Sequence, residues 1–258
     1  MTSASGPSLW RFIALLGVSA LALQLYFLAR IALMLVVDPQ STTFQRSEAW
    51  RLALQPGAHP WQQHWVDYAG VSANLKRAVI ASEDSGFTEH SGVEWDALEK
   101  AWGRNERADA QAALQARRRE AMRSKPGAET RPAPVPKVVG GSTITQQLAK
   151  NLFLSGERNF VRKGQELVLS YELEAILGKQ RILAIYLNSV EWGEGVFGAD
   201  AAAHRYFNVD ARRLAPQQAA QLAVMLPAPK RFEKRPGSAY VVGRAATVAA
   251  RMGHVDLP

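Results

Sequence analysis

The chain of 258 residues contains no cysteine. That excludes a disulfide framework and a thiolate zinc site, while leaving the redox compartment open. No internal repeat is present, and no alternating apolar–polar run is long enough to build a sheet, which sets aside repeat and all-β architectures. Acids are in the minority, with 23 Asp/Glu against 31 Lys/Arg, a net charge of +8. Such a balance suits nucleic acid, anionic lipid head groups or phosphorylated substrates. Its distribution narrows this. Residues 103–137 hold nine Lys/Arg and four Asp/Glu, so +5 of the +8 lies in one segment. At 47% hydrophobic and 21% charged residues, wholesale disorder is excluded and a sizeable core is expected.

The first positive feature is apolar. Residues 12–29 read FIALLGVSALALQLYFLA without a charge; Arg30 interrupts, and IALMLVV continues to Asp38. A helix needs ~20 apolar residues to cross the hydrocarbon core. The span over 12–37 is long enough to cross with tilt, and Arg30 can snorkel near one end. Trp10 and Tyr26 are candidate interface anchors. A cleaved signal peptide is the competing reading, but the stretch exceeds the ~7–15 residues of such a segment and no small-x-small site follows. A retained anchor after a short cytoplasmic tail (1–11) is the expectation.

Residues 38–70 carry Pro39, Pro56 and Pro60 and read as a linker and lead-in. Helical spacing marks residues 71–102, with a break at Gly86. Residues 104–137 begin as an Ala/Gln/Arg-rich stretch and end with Pro126, Pro132, Pro134 and Pro136, the composition of a mobile basic insert. GGSTITQQLAKNLFL then opens a helix, with Thr143 and Gln146 at capping-box spacing and Ser142 as the alternative cap. Amphipathic helices follow in RKGQELVLSYELEAIL and KQRILAIYLN, parted near Gly178. GEGVFGADAAAHRYF, QQAAQLAVMLPAP and SAYVVGRAATVAARM supply the rest. The domain is expected to be mainly α.

Three segments could carry chemistry. EDSGFTEHSG, residues 83–92, puts Glu83 and Asp84 at a helix end beside apolar residues, where desolvation raises a carboxyl toward the range of a general base; the plainer reading is a solvated acidic helix end. GGSTITQQLAK, residues 140–150, exposes backbone N–H groups and hydroxyls at a helix N-terminus, which attracts phosphate; the plainer reading is an ordinary capped helix. Lys150 falls on the same helix face as Thr143 and Gln147. RNFVRKGQE, residues 158–166, sets three cations before Glu166. Arg162 and Glu166 are spaced for a surface salt bridge, or for a cationic clamp on a pyrophosphate. The GxGxxG of GEGVFG follows a helix rather than a strand, which argues against a dinucleotide site.

Taken in this order, EDxxFxxHxG, GGSTITQQ with Lys-Asn, RKxxE, ILxxYLN, GxGxxG and AAAxxYF resemble the glycosyltransferase domain of class A penicillin-binding proteins. The likeness runs from about residue 70 to 235 apart from the insert. No SxxK followed by KTG accompanies it, so the chain looks similar to the monofunctional peptidoglycan glycosyltransferases. The resemblance implies a lysozyme-like domain, over residues 71–258, behind one transmembrane helix. It implies lipid II and a lipid-linked glycan strand as substrates, joined by inverting displacement of a lipid pyrophosphate at the periplasmic face of a bacterial inner membrane. By the same resemblance Glu83 is the general base, Asp84 its electrostatic support and Glu166 a second essential acid. Lys150, Arg158, Arg162 and Lys163 would meet the pyrophosphate. Ser142, Thr143, Gln146, Gln147, Phe87 and His90 would contact substrate. Mg2+ or Mn2+ could sit beside the pyrophosphate, with no organic cofactor and no nucleic acid. Penicillin-binding proteins and divisome components would be partners. A glycan-cleaving enzyme of the same fold and a catalytically dead membrane scaffold are the rival expectations.

Overall fold

The computed structural model describes residues 9–57, 61–96, 99–100, 103–104, 107, 110–112, 114, 141–157 and 159–258. Most of the basic insert and Arg158 lie outside the described residues. The described positions between 99 and 114 are helical.

Helix α1 (Leu9–Leu33) carries the apolar segment. It stops four residues short of the expected boundary, because residues 34–36 form a turn. Its outer residues are exposed, whereas Phe27, Ile31 and then Met34 are buried against the domain. Helix α2 (Thr43–Ala53) occupies what the prolines marked as linker. Thr42 caps it and Gln45 returns the bond to the Thr42 backbone, so two orphan donors of the first turn are satisfied. The prolines bracket this helix instead of forbidding it.

The domain proper is built from α3 (Ala73–Glu83), α4 (Ile144–Phe153), α5 (Phe160–Ser189), α6 (Ala199–Phe207), α7 (Pro216–Met225), the short α8 (Pro229–Phe232) and α9 (Ala239–Arg251). Helix α5 is its axis. Its last turns bury every residue from Ile182 through Ser189, and α4 packs along it, with α1 against its first half. Helix α3 lies on α7, whose Ala219, Ala220 and Ala223 are fully buried and admit close approach; α9 packs on the same α7. Leu75, Ile80, Ile144, Leu148, Leu169, Leu173 and Ile182 are shut from solvent, each stabilising the fold by ~1.5–3 kcal/mol relative to exposure.

A three-stranded sheet finishes the core, in the order β1 (Gln62–Gln63), β3 (Val196–Phe197), β2 (Glu191–Gly193). β1 runs parallel to β3, pairing Gln62 with Val196, and β2 runs antiparallel to it. Strands of two or three residues are too short to show alternation in a sequence, so the mainly α expectation holds with this addition. The glycine-rich GEGVFG is the hairpin between β2 and β3.

Two glycines there and in α5 have no substitute. Gly178 has φ 72° and kinks α5 between two helical halves. Gly198 has φ 86°, and a Cβ on it would stand 2.9 Å from the Asn188 carbonyl oxygen. A Cβ on Gly178 would meet nothing within 4 Å. Gly198→Ala therefore combines backbone strain with a clash and should destabilise by more than the ~1–3 kcal/mol of strain alone; Gly178→Ala carries only the strain. Thermal unfolding in detergent should show the larger drop in Tm for Gly198→Ala, and equal drops would refute the close-approach account.

Candidate active site

The C-terminal end of α3 meets the N-terminal end of α4, and one carboxylate makes the joint. Asp84 is 4% exposed. Its Oδ2 accepts the Ile144 backbone N–H at 2.9 Å, so it caps α4 from another helix and meets the positive end of its dipole. Its Oδ1 lies 2.8 Å from His90 Nε2. His90 Nδ1 in turn accepts the Gly92 N–H at 3.2 Å. Nδ1 must then be bare, which puts the imidazole proton on Nε2 and makes His90 the donor to Asp84. Thr143 closes the turn: its hydroxyl donates to the Gly92 carbonyl at 2.6 Å while accepting the Gln146 N–H at 3.1 Å.

Glu83 is half-buried beside this joint. Desolvation, with the neighbouring Asp84 charge, pushes its carboxyl above the usual carboxylate range, against the pull of hydrogen bonds from Gln147 and Ser82. Gln147 Nε2 donates to Glu83 Oε2 at 3.1 Å. The Gln147 amide is itself set from behind, because the Tyr186 hydroxyl donates to its Oε1 at 2.9 Å. Tyr186 is fully buried on α5, and a buried phenol needs a partner. Burial and the charges of Glu83 and Asp84 drive its own pKa far up, so it stays a donor. The chain Tyr186–Gln147–Glu83 fixes the carboxylate.

A groove of about 510 Å³ lies farther along α4, lined by Lys150, Asn151 and Arg162, with Thr43, Ser47 and Glu48 of α2 among its other residues. Arg162 Nη1 donates to Glu166 Oε2 at 2.9 Å, and Lys163 bonds the other oxygen. Glu166 is 3% exposed, so two cations neutralise one buried acid and are oriented by it. The Nε of Arg162 is buried with no acceptor among the described residues.

The expected residues thus divide. Glu83, Asp84, His90, Thr143, Gln146 and Gln147 meet at the α3–α4 joint; Lys150 and Arg162 share the groove, with Lys163 and Glu166 bonded to one another behind Arg162. Ser142 contributes its carbonyl to the Gln147 amide at 3.5 Å. Phe87 is fully buried, under the Lys179 ammonium at 4.6 Å from the ring centroid, so it props the turn from inside rather than meeting a substrate. Gln146 is 1% exposed and its Oε1 accepts the Thr143 N–H, a capping role. Tyr186 and Lys179 went unassigned in the sequence. A tyrosine on an apolar helix face was a signal for the first. Lys179 bonds the His90 carbonyl at 2.5 Å across 89 positions, which nothing local announces.

Asp84, His90 and Glu94 place ligand atoms within 4.8 Å of one another, so a divalent cation could be held there. Binding through His90 would require its Nε2 proton to leave, and Asp84 Oδ2 is already taken by Ile144. In the arrangement described, the cluster is a hydrogen-bonded acid–imidazole pair first and a metal cradle second.

A carboxyl raised above its ordinary range and a groove lined by two cations suit glycosyl transfer, and the comparisons give the same class. The sequence model of the family described as Transglycosylase matches residues 52–113 and 133–253, and the chain belongs to that family. Curated relatives carry the name biosynthetic peptidoglycan transglycosylase. That of Paraburkholderia xenovorans (strain LB400) is 45% identical over 258 residues, spanning 99% of this chain and 97% of the relative. That of Burkholderia thailandensis is 50% identical over 238 residues, or 92% and 83%. That of Burkholderia ambifaria (strain MC40-6) is 46% identical over 259 residues, or 100% and 95%.

Two substitutions test the relay. Tyr186→Phe leaves the Gln147 amide without its donor and should lower transglycosylase kcat about tenfold, with KM little changed. Gln147→Leu removes a bond that favours ionised Glu83, so the carboxyl rises further. A base works only when ionised, hence the acid limb of the pH–rate profile should move to higher pH. A limb that stays put would mean Gln147 does not govern the base.

Proposed function

We propose that the chain polymerises lipid II into β-1,4-linked glycan strands, with Glu83 as the general base and the Lys150–Arg162 groove as the seat of the donor pyrophosphate. The observation that carries this reading is the raised, oriented carboxylate of Glu83 at the α3–α4 joint together with a groove, farther along α4, whose Arg162 is pre-aligned by a buried acid. The acceptor 4-hydroxyl attacks the donor anomeric carbon. Its proton passes to a Glu83 oxygen, the new C–O bond forms with inversion, and the bond to pyrophosphate breaks, releasing the lipid pyrophosphate. Charge develops on that leaving group, where fixed cations are most effective. The Arg162 guanidinium, aligned by Glu166, is suited to a phosphate oxygen in the groove, and Arg158 is proposed to add another cation. Cleavage of an uncharged glycan bond would leave such a groove without an occupant.

Asp84 and His90 are positioning residues in this scheme, holding α3 against α4. Glu166 orients Arg162 and Lys163. Ser142 and Gln147 line the approach of the sugars, and Thr143, buried with its hydroxyl engaged, holds the turn behind them. Mg2+ or Mn2+ would add charge neutralisation beside the pyrophosphate; the Asp84–His90–Glu94 cluster lies at the α3–α4 joint, apart from the groove residues, and would hold a cation only after losing the His90–Asp84 bond.

Helix α1 suits a single-pass anchor, being 25 residues long and apolar with nearly all of its side chains exposed. The proposed setting is the bacterial inner membrane, with the N-terminus cytoplasmic and the catalytic domain in the periplasm, where a lipid-bound substrate stays within reach of the site. Penicillin-binding proteins and divisome components are the proposed partners, since they act on the same strand.

Polymerisation of labelled lipid II by the detergent-solubilised full chain is the test. Glu83→Gln, which keeps the Gln147 contact but not the basicity, should lose about 10²-fold or more in rate. Equal rates for the two proteins would remove Glu83 from its role. A folded wild type that makes no polymer across a screen of metals and detergents would remove the activity.

A further inference from the structure

A second cavity, of about 250 Å³, opens at the far end of α1, outside the region matched by the family. Arg30 and Arg46 line it together with Leu33, Val37, Asp38 and Ser41. Both guanidinium groups are held in place. Arg30 Nη1 donates to the Tyr26 hydroxyl at 2.9 Å. Arg46 Nη1 donates to the Ser41 carbonyl and hydroxyl, each at 3.2 Å, and its Nη2 to Thr43 Oγ1 at 3.0 Å. Five N–H donors on each group exceed these bonds. The one acid, Asp38, is paired with Arg181 at 2.8 Å. Arg181 also ties the Met34 and Val37 carbonyls, at 2.7 and 3.2 Å. The wall is therefore braced and the acid neutralised, which leaves the two arginines to set the sign of the cavity.

Its depth follows from α1. From Trp10 to Arg30 is twenty residues, which at ~1.5 Å each cover the ~30 Å hydrocarbon thickness. With Trp10 at one interface, Arg30 reaches the other, at the level of lipid phosphates. Below it the helix presents exposed apolar side chains, and above it the wall combines Leu33, Met34 and Val37 with the polar groups of Gln40 and Ser41.

We infer that this cavity binds the phosphate headgroup of an anionic phospholipid, its acyl chains lying along the exposed apolar face of α1 below Arg30, with Leu23 and Tyr26, and its phosphate between Arg30 and Arg46. The inference rests on the anchor reading of α1. It makes the docked lipid a fixed part of the joint between anchor and catalytic domain, distinct from the substrate groove.

Native mass spectrometry of the full chain in detergent, with added phosphatidylglycerol or phosphatidylcholine, reads the site directly. Wild type should retain one phosphatidylglycerol with a preference of about tenfold or more over phosphatidylcholine. Arg30→Gln with Arg46→Gln should bring the two lipids to parity while melting as wild type does. The paired change to Lys, which keeps charge without the fork, should retain part of the preference and guards against a folding defect in the Gln pair. Equal preference in wild type and the Gln pair would overturn the site, as would full displacement of the lipid by millimolar inorganic phosphate, which would reassign the cavity to a free anion. The anchor reading is tested apart by alkaline extraction of membranes. Release into the supernatant would sink the anchor, whereas retention with no lipid preference would sink only the site.

Discussion

The position of the groups at the α3–α4 joint depends on the bond between Asp84 and the first turn of α4. A carboxylate that reaches across 60 positions to a helix N-terminus does two things at once. It satisfies a backbone donor that would otherwise be orphaned in the core, and it places its neighbour Glu83 one turn along α4, where Gln147 can reach it. The two adjacent acids therefore have opposite tasks. Asp84 is consumed by the fold, with both oxygens bonded and a protonated imidazole nitrogen on one of them. Glu83, at the edge of the same burial, keeps its charge state adjustable. Removing Asp84 would leave Glu83 present but unplaced.

Helix α1 is also more than a tether. Gln24, in the middle of its apolar run, is bonded to Glu172, and its amide oxygen accepts Gln165 Nε2 at 3.0 Å. An amide at that depth is costly without partners, and both partners come from α5. Phe27 meets Phe153 of α4 edge-on at 5.3 Å between ring centroids. The helix that would cross the membrane thus rests on the two helices that carry the groove. The tilt of the site relative to the bilayer is then set by packing rather than by a flexible linker, which suits a substrate whose lipid tail cannot leave the membrane.

What the sequence discloses, and what it hides, follows from range. The α4 cap was legible because Thr143 and Gln146 are three positions apart and both halves of the box form. The break at Gly178 was legible because the backbone there needs a glycine. The residues alone showed Glu83 and Asp84 as a pair, and the resemblance gave them different roles, but only the fold shows that Asp84 is the buried cap of α4. The Tyr186–Gln147 bond spans 39 positions, and Phe87 passed for a surface contact because an aromatic in a polar turn gives no sign of which way it faces. Helix α2 was masked by flanking prolines. Its wall of the groove, Thr43 and Ser47, was therefore missed as well.

The same α2 links the groove to the far side of the hairpin. Glu48 bonds Arg51 and Lys230, and Arg51 reaches Glu194 at 2.8 Å. Glu191, buried beside Lys230, is pushed by desolvation to about 7. Its folded pKa lies above its unfolded value, so this group favours the folded state below the ordinary carboxylate range. That contribution is lost as pH rises toward 7, when a buried charge must form with Lys230 3.4 Å away as its nearest compensation. A mixed cluster of this kind is weak evidence of stability, because desolvation cancels much of the attraction. Its effect is positional: it ties α2, the β2–β3 hairpin and α8 at one point, and so fixes the groove wall that α2 supplies opposite Lys150 and Arg162.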